Sequence, residues 1–381
     1  MRSFKIRFLI LAAMAFIIFL FCSKNSMNVI EEKIPSQWND GGLFSKHYNL
    51  AYNVMKTMTL DEKIGQILLV RLPSSNVEKV IDKYKIGGFV FYHKDISKHS
   101  KKSLSDLIKE YNNEADLPLI IAIDEEGGSV VRLSNNKSFR SEPFKSPQRI
   151  FEESGYEGIV NTTKEMCDLL GGIGFNLNLA PVADISVNPK DYIYHRSFGK
   201  PAKETAEFVN CIIKTSQGSK LSFAMKHFPG YGSNHDTHKG MVVDNRSLDE
   251  IKSNDLLPFK SGVVAGADSI MVSHNIVACL DMSMPASLSK KVHMFAREQL
   301  KFSGIIMTDN VDMQGIRTFT DGTGVIEAIL AGNDIVMVTD YKKSIKEIKQ
   351  ALKSGKLTQE MIDYMVFRVL AWKYYKGLFE S

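Results

Sequence analysis

From about residue 59 onward the chain alternates short apolar runs with longer stretches in which apolar residues recur every three or four positions. The runs are 67–70, 88–92, 119–123, 175–182, 223–225, 269–272, 304–307 and 334–338. They are rich in β-formers and lack polar alternation, as expected of parallel strands buried on both faces beneath helices. In the intervening stretch 201–214, Ala202, Ala206, Val209 and Ile213 share one helical face, and Pro201 suits a first helical turn. Thr59-Leu60-Asp61-Glu62 and Ser247-Leu248-Asp249-Glu250 are capping boxes, in which hydroxyl and carboxylate satisfy the free N–H groups of a helix start. Eight strand–helix units without a linker predict an α/β fold, a single (β/α)8 barrel of the TIM type. The alternative, an open doubly wound sheet, lacks a Gly-x-Gly-x-x-Gly opening to any of its helices.

Ahead of the barrel the pattern differs. Arg2, Lys5 and Arg7 precede an unbroken apolar run, 8–21, that ends at Cys22 and polar Ser23-Lys24-Asn25-Ser26. This is the shape of an export signal, and the run is shorter than the roughly 20 apolar residues a spanning helix prefers. Residues 1–22 are therefore expected to be a signal peptide of lipoprotein type with Cys22 as the lipidation site, or an uncleaved anchor. Phe21 stands where such cleavage sites favour a small residue. Residues 23–47, with Pro35, Gly41 and Gly42, read as a tether. The barrel is expected over 48–381, with no C-terminal second domain. The protein is then exported and membrane-anchored through its N-terminus, on the outer side of the cytoplasmic membrane.

Composition narrows the partners. The 44% hydrophobic and 24% charged fractions suit a soluble globular domain with ample core. The net charge of +5 comes from scattered lysines, so no nucleic-acid partner is expected. The four cysteines form no C-x-x-C pair, and Cys167 and Cys211 fall on apolar helical stripes as small core residues.

A barrel displays its chemistry at the C-terminal ends of its strands. The third run ends in Asp124-Glu125-Glu126-Gly127-Gly128, with Arg132 following; the fourth ends in Asp184, with His195-Arg196 in its loop. The fifth ends in Lys226-His227-Phe228-Pro229-Gly230, and its loop holds His235, Asp236 and His238. The sixth ends in His274 and the seventh in Thr308-Asp309-Asn310. Charges at the ends of apolar strands are costly unless paired or used. No zinc-type spacing is present, which points to acid–base chemistry and polar recognition with no metal and no cofactor. Asp309, on a stiff strand, is placed as a nucleophilic carboxylate should be. Asp236-Thr237-His238 offers a carboxylate that can orient an imidazole for proton transfer near neutral pH.

These residues resemble glycoside hydrolase family 3, and within it the bacterial β-N-acetylglucosaminidases. The resemblance rests on Lys226-His227-Phe228-Pro229-Gly230 before a D-x-H loop, on Asp124-x-Glu126-Gly127-Gly128-x-x-x-Arg132 and on His195-Arg196-Ser197-Phe198-Gly199. It extends from Met58-Thr59-Leu60-Asp61-Glu62 to Ala331-Gly332-x-Asp334. It implies a retaining hydrolase that releases terminal β-linked N-acetylglucosamine through a glycosyl-enzyme. Asp309 would be the nucleophile and His238, assisted by Asp236, the acid/base. Asp124, Arg132, Arg196, Lys226 and His227 would hold the sugar of a small oligosaccharide or muropeptide. The alternatives are a family 3 β-glucosidase or β-xylosidase, and a non-catalytic glycan-binding surface lipoprotein. The chain departs from the family pattern in a loop from Lys226 to Asp236 one residue short, in Tyr231 where histidine is usual, and in Asn310 where aspartate is common. His235 is the alternative acid/base.

Overall fold

The computed structural model describes residues 33–232, 240, 242–317 and 319–380. Gln37–Ser381 form one compact unit. Its strands are β1 (Leu68–Arg71), β2 (Gly88–Phe91), β3 (Ile120–Ile123), β4 (Leu177–Asn178), β5 (Ser222–Phe228), β6 (Val243–Asp244), β7 (Ser269–Val272), β8 (Ile276–Val277), β9 (Ile305–Thr308) and β10 (Val336–Val338). Eight of them form one parallel sheet in the order β10-β1-β2-β3-β4-β5-β7-β9, and β6 pairs separately with β8. The sheet curls into the expected barrel, closing through a parallel bridge between Met307 and Ile335. Every strand of the barrel lies within or overlaps one of the eight apolar runs. β2, β3, β7 and β9 are buried along their whole length. The fourth run contributes a strand of two residues plus an isolated bridge from Val182 to Lys226. Pro181 stands between the two and has no N–H to donate to a ladder.

The closure is thin, and Asp334 reinforces it. Its backbone N–H donates to Ile306 O (2.7 Å), and its carboxylate accepts from Ile306 N (2.8 Å), Arg297 Nη2 (2.8 Å) and Arg368 Nε (2.6 Å). The Ala331-Gly332-x-Asp334 segment therefore pins β9 to the approach of β10, and does so at the end of the barrel away from the strand-end loops. Gly332, in the left-handed region (φ +103°), ends the preceding helix Val325–Ala331 so that the chain can turn into that strand.

Both capping boxes form as expected, at Thr59/Glu62 and Ser247/Glu250. In helix Ala202–Thr215 the buried face centres on Thr205, Phe208, Val209 and Ile212, so Ala206 and Cys211 flank it instead of lying at its middle. Cys167 is likewise half-buried. The packed domain begins before the expected end of the tether at residue 47: Trp38 and Phe44 are buried, with Trp38 against Tyr364 and Phe367 and Phe44 against Tyr375. Two large aromatic rings on the last helix, Gln359–Tyr375, outweigh the polar character of the stretch, each worth roughly 2 kcal/mol on burial. The apolar run 8–21 and Cys22 lie outside the described residues. Among the described residues no helix is long and apolar enough to cross a membrane.

Candidate active site

The site begins where β3 ends. Asp124 projects from the strand end, and the next two carboxylates part company. Glu125 is fully buried and serves the loop, accepting from the backbone N–H groups of Arg132 (2.9 Å), Leu133 (2.8 Å) and Ser134 (3.3 Å). That bracing fixes the position of Arg132. Gly127 and Gly128 make the turn with φ of +89° and +65°, and a Cβ on Gly127 would stand 2.4 Å from Lys145 O. Only glycine fits there without strain.

Glu126 turns into the barrel mouth. It accepts bidentately from Arg196, with Nε at 3.0 Å and Nη2 at 2.7 Å, and lies 2.6 Å from Lys226 Nζ. Burial alone would raise its pKa, but Lys226 and Arg196 outweigh burial and hold the carboxyl down at about 2. Lys226 also donates to Asp124 Oδ1 (2.9 Å), while Arg132 Nη2 lies 3.8 Å from Asp124 Oδ2. Burial disfavours the Lys226 ammonium, yet the two carboxylates raise its pKa and keep it charged.

β5 delivers two adjacent side chains to this place. Its pairing with β7 is irregular between Lys226 and Phe228, so the alternation that would send neighbours to opposite faces is broken. Both Lys226 and His227 are buried. His227 Nδ1 lies 2.7 Å from Asp184 Oδ2, and its backbone N–H also donates to that carboxylate (3.2 Å). With Nδ1 engaged, Nε2 is the ring nitrogen left to face the pocket. Asp184 accepts as well from the backbone N–H of Tyr231 (2.7 Å), tying the start of the following loop to His227.

Asp309 follows β9 and is half-buried. Burial would raise its pKa, but His274, His227, the backbone N–H of Asn310 (2.6 Å) and Lys226 together hold it below the usual carboxylate range. His274 is itself fixed, with Nδ1 2.7 Å from Ser287 Oγ and Nε2 3.0 Å from Asn310 O. The Tyr92 hydroxyl, beyond the end of β2, is pushed above its ordinary range by burial and then by Asp124 and Asp309. That ring therefore lines the same mouth.

The structure thus gathers Asp124, Arg132, Arg196, Lys226, His227 and Asp309 from four strand ends and their loops. Asp236, His238 and His235 lie outside the described residues. The stems of their loop are described: Gly230 and Gly232 pack closely on Asp255 and Arg246, and Arg246 binds Asp244 on β6 (2.6 Å) and Asp255 (2.7 Å). Sequence reasoning passed over Glu126, Asp184 and His274 as site residues. Each stood in view as a charged or imidazole group next to an apolar strand, and such a group has to be paired.

An ionised carboxylate on a rigid strand end, facing a buried cluster of fixed donors, is the equipment of a glycosidase pocket. The comparisons agree, matching residues 59–372 to the glycosyl hydrolase family 3 N-terminal domain, and the chain belongs to this family. A β-hexosaminidase LpqI of Mycobacterium tuberculosis is 27% identical over 327 residues, spanning 82% of both chains. Its solved structure superposes with a TM-score of 0.76 at 26% identity, covering 84% of this chain and 95% of that one. β-Hexosaminidase A of Pseudoalteromonas piscicida is 27% identical over 329 residues, 78% of this chain and 54% of the relative, so this chain spans about half of that enzyme. The family 3 β-N-acetylglucosaminidase of a Paenibacillus superposes with a TM-score of 0.78 at 26% identity, covering 84% of this chain and 63% of that one.

Proposed function

We infer that this protein is a β-N-acetylhexosaminidase, a glycosidase that removes terminal β-linked N-acetylglucosamine from cell-wall-type or related glycans. The observation that carries the reading is Asp309, kept ionised by the histidines and Lys226 around it and set opposite the Asp124–Lys226–Glu126–Arg196 cluster. The β-hexosaminidases among its relatives support the choice of sugar.

In the proposed reaction Asp309 attacks the anomeric carbon as the bond to the leaving oxygen breaks. His238, oriented by Asp236, gives that oxygen its proton. Water then attacks the glycosyl-enzyme, loses its proton to His238 and frees Asp309, so configuration is retained. Asp124, Arg132, Arg196, Lys226 and His227 hold the sugar hydroxyls. Arg196 and Lys226 are already paired to carboxylates, so the pocket is rigid before substrate arrives, which is what positioning requires. No cofactor takes part. We further propose that residues 1–22 export the chain and that lipidation of Cys22 anchors it outside the cytoplasmic membrane.

The test is hydrolysis of nitrophenyl N-acetyl-β-glucosaminide against the matching glucoside and xyloside. A clear preference for the first supports the reading, and a preference for either of the others replaces it with a glucosidase or xylosidase. For the acid/base, His238→Ala should slow a natural disaccharide far more than a dinitrophenyl glycoside, whose leaving group hardly needs a proton. Azide, which needs no base, should restore breakdown of the accumulated glycosyl-enzyme. Equal losses on both substrates without rescue would shift the role to His235 or to a group outside the loop.

A further inference from the structure

Among the described residues, one cation at the barrel mouth lacks a carboxylate. Asp124, Glu126 and Asp309 face Lys226, Arg196, Arg132 and Arg71, and among these Arg71 has no ion-pair partner among the described residues. Arg71 ends β1, where its Cα pairs with Val90 of β2. Tyr92, two residues beyond Val90, therefore lies on the same face of the sheet. The Arg71 guanidinium stacks on that ring, Cζ standing 4.7 Å from its centroid, and Arg132 Cζ stands 5.7 Å from the same centroid. The Nε atoms of both arginines are buried without a hydrogen-bond partner.

Two half-buried guanidiniums on one aromatic ring is an unusual arrangement for a protein to leave uncompensated. Arginine cannot shed its charge, and stacking on a ring replaces only part of the hydration lost. Arg132 has a distant carboxylate at 3.8 Å. Arg71 has none within 4 Å among the described residues. The field of Asp124 and Asp309 at Tyr92 places this pair beside the pocket that holds the sugar.

We propose that Arg71 and Arg132, both against the Tyr92 ring, form an anion-recognising subsite, and that the preferred glycan carries an anionic substituent close to the scissile linkage. The planar fork of Arg71 suits a carboxylate or a phosphate. The inference rests on the glycosidase reading above and adds the charge class of the substrate to it. It also gives Arg71 a positioning task that the hydroxyl-binding residues do not share.

The experiment compares matched substrates. A 4-carboxy-2-nitrophenyl N-acetyl-β-glucosaminide and its methyl ester differ in charge on the departing group. Nitrophenyl N-acetyl-β-glucosaminide and its 6-phosphate differ in charge on the terminal sugar. The wild-type protein should favour one anionic member by about tenfold in kcat/KM, chiefly through KM, since a charged hydrogen bond is worth at least that much. The favoured pair tells which source of anion the subsite reads. Arg71→Met should abolish the preference, Arg71→Lys should retain part of it, and added salt should weaken it. No preference in either pair, or a preference that survives in both Arg71 variants, overturns the subsite while leaving hydrolysis of the neutral substrates to stand for the glycosidase reading. If none of the four substrates is hydrolysed, that reading and the subsite fall together.

Discussion

Asp309 and Asp312 stand three positions apart and have different surroundings. Asp309 faces the pocket, ringed by His274, His227 and Lys226. Asp312 faces its own chain, and its carboxylate accepts from the backbone N–H groups of Thr339 (2.6 Å) and Asp340 (3.1 Å) just past β10. Asp309→Asn is therefore expected to lower turnover of an N-acetylglucosaminide by about three powers of ten or more while leaving the melting temperature nearly unchanged. Asp312→Asn should do the opposite, keeping most activity and losing about 1 kcal/mol of stability with a weakened backbone bond. Steady-state rates and thermal melts of the two variants decide it, and a dead Asp312 variant beside a live Asp309 variant would reverse the assignment. The positions of the site residues were readable in the sequence because a charge that ends an apolar run is conspicuous. Their pairings were not. Glu126 meets Arg196 seventy residues away and Lys226 a hundred residues away, and only a closed barrel brings those strand ends together. Arg71 escaped notice for a related reason: it ends a run as an ordinary polar boundary would, and its isolation is visible only once its neighbours are in place.

The strand–helix alternation was the most legible part of the fold, because a strand buried on both faces has no polar position to disguise it. The pair β6–β8 was invisible, since two residues per strand carry no periodicity. Yet this small sheet holds one stem of the loop that carries Asp236 and His238. Asp244 on β6 accepts from the Arg246 backbone N–H at Oδ1 (3.0 Å), from Nε at Oδ1 (3.0 Å) and Oδ2 (3.1 Å), and from Nη2 at Oδ2 (2.6 Å), and Asp255 accepts from Nη1 (2.7 Å). The other stem passes over the same cluster at Gly230 and Gly232, where a Cβ would stand 2.4 Å from Asp255 Oδ1 and 2.8 Å from the Arg246 guanidinium. One arginine thus holds two buried carboxylates together beneath both ends of the loop. Arg246→Met leaves those carboxylates without a countercharge, which should cost about 3 kcal/mol. If the cluster also positions the loop, kcat on a disaccharide should fall by about tenfold at temperatures well below the lowered melting point, with KM little changed. A variant that melts early and yet keeps the wild-type kcat in the cold would confine Arg246 to holding the fold.

Across the whole molecule the charges are divided between the two ends of the barrel. The mouth holds the paired cluster of the pocket. The opposite end holds Asp334 with Arg297 and Arg368, and beside it a lysine with no carboxylate partner among the described residues. Lys373, on the last helix, is fully buried and donates to Gln66 Oε1 (2.7 Å) and Gly87 O (3.3 Å), joining that helix to the entry into β1 and to the residue before β2. Burial alone lowers its pKa from 10.5 to about 7. A lysine whose folded pKa is depressed binds its proton more weakly in the folded state than in the unfolded one, so folding is penalised wherever the unfolded chain is protonated. The penalty is complete below about pH 7 and fades as pH rises toward 10.5, and it amounts to something on the order of 4 kcal/mol. Lys373→Met removes the titration and leaves the Gln66 oxygen unpaired, a fixed cost of roughly 1–3 kcal/mol. The two stability curves should therefore cross. The variant should be the more stable protein at pH 6 and the less stable at pH 10.5, because there the wild-type side chain is neutral and keeps both of its bonds. Urea unfolding at intervals across that range measures the difference directly, and taking wild type against variant cancels the other groups that titrate at high pH. A difference that stays constant with pH would mean that Lys373 keeps its ordinary proton affinity in the folded protein, through water or a carboxylate reaching the barrel floor.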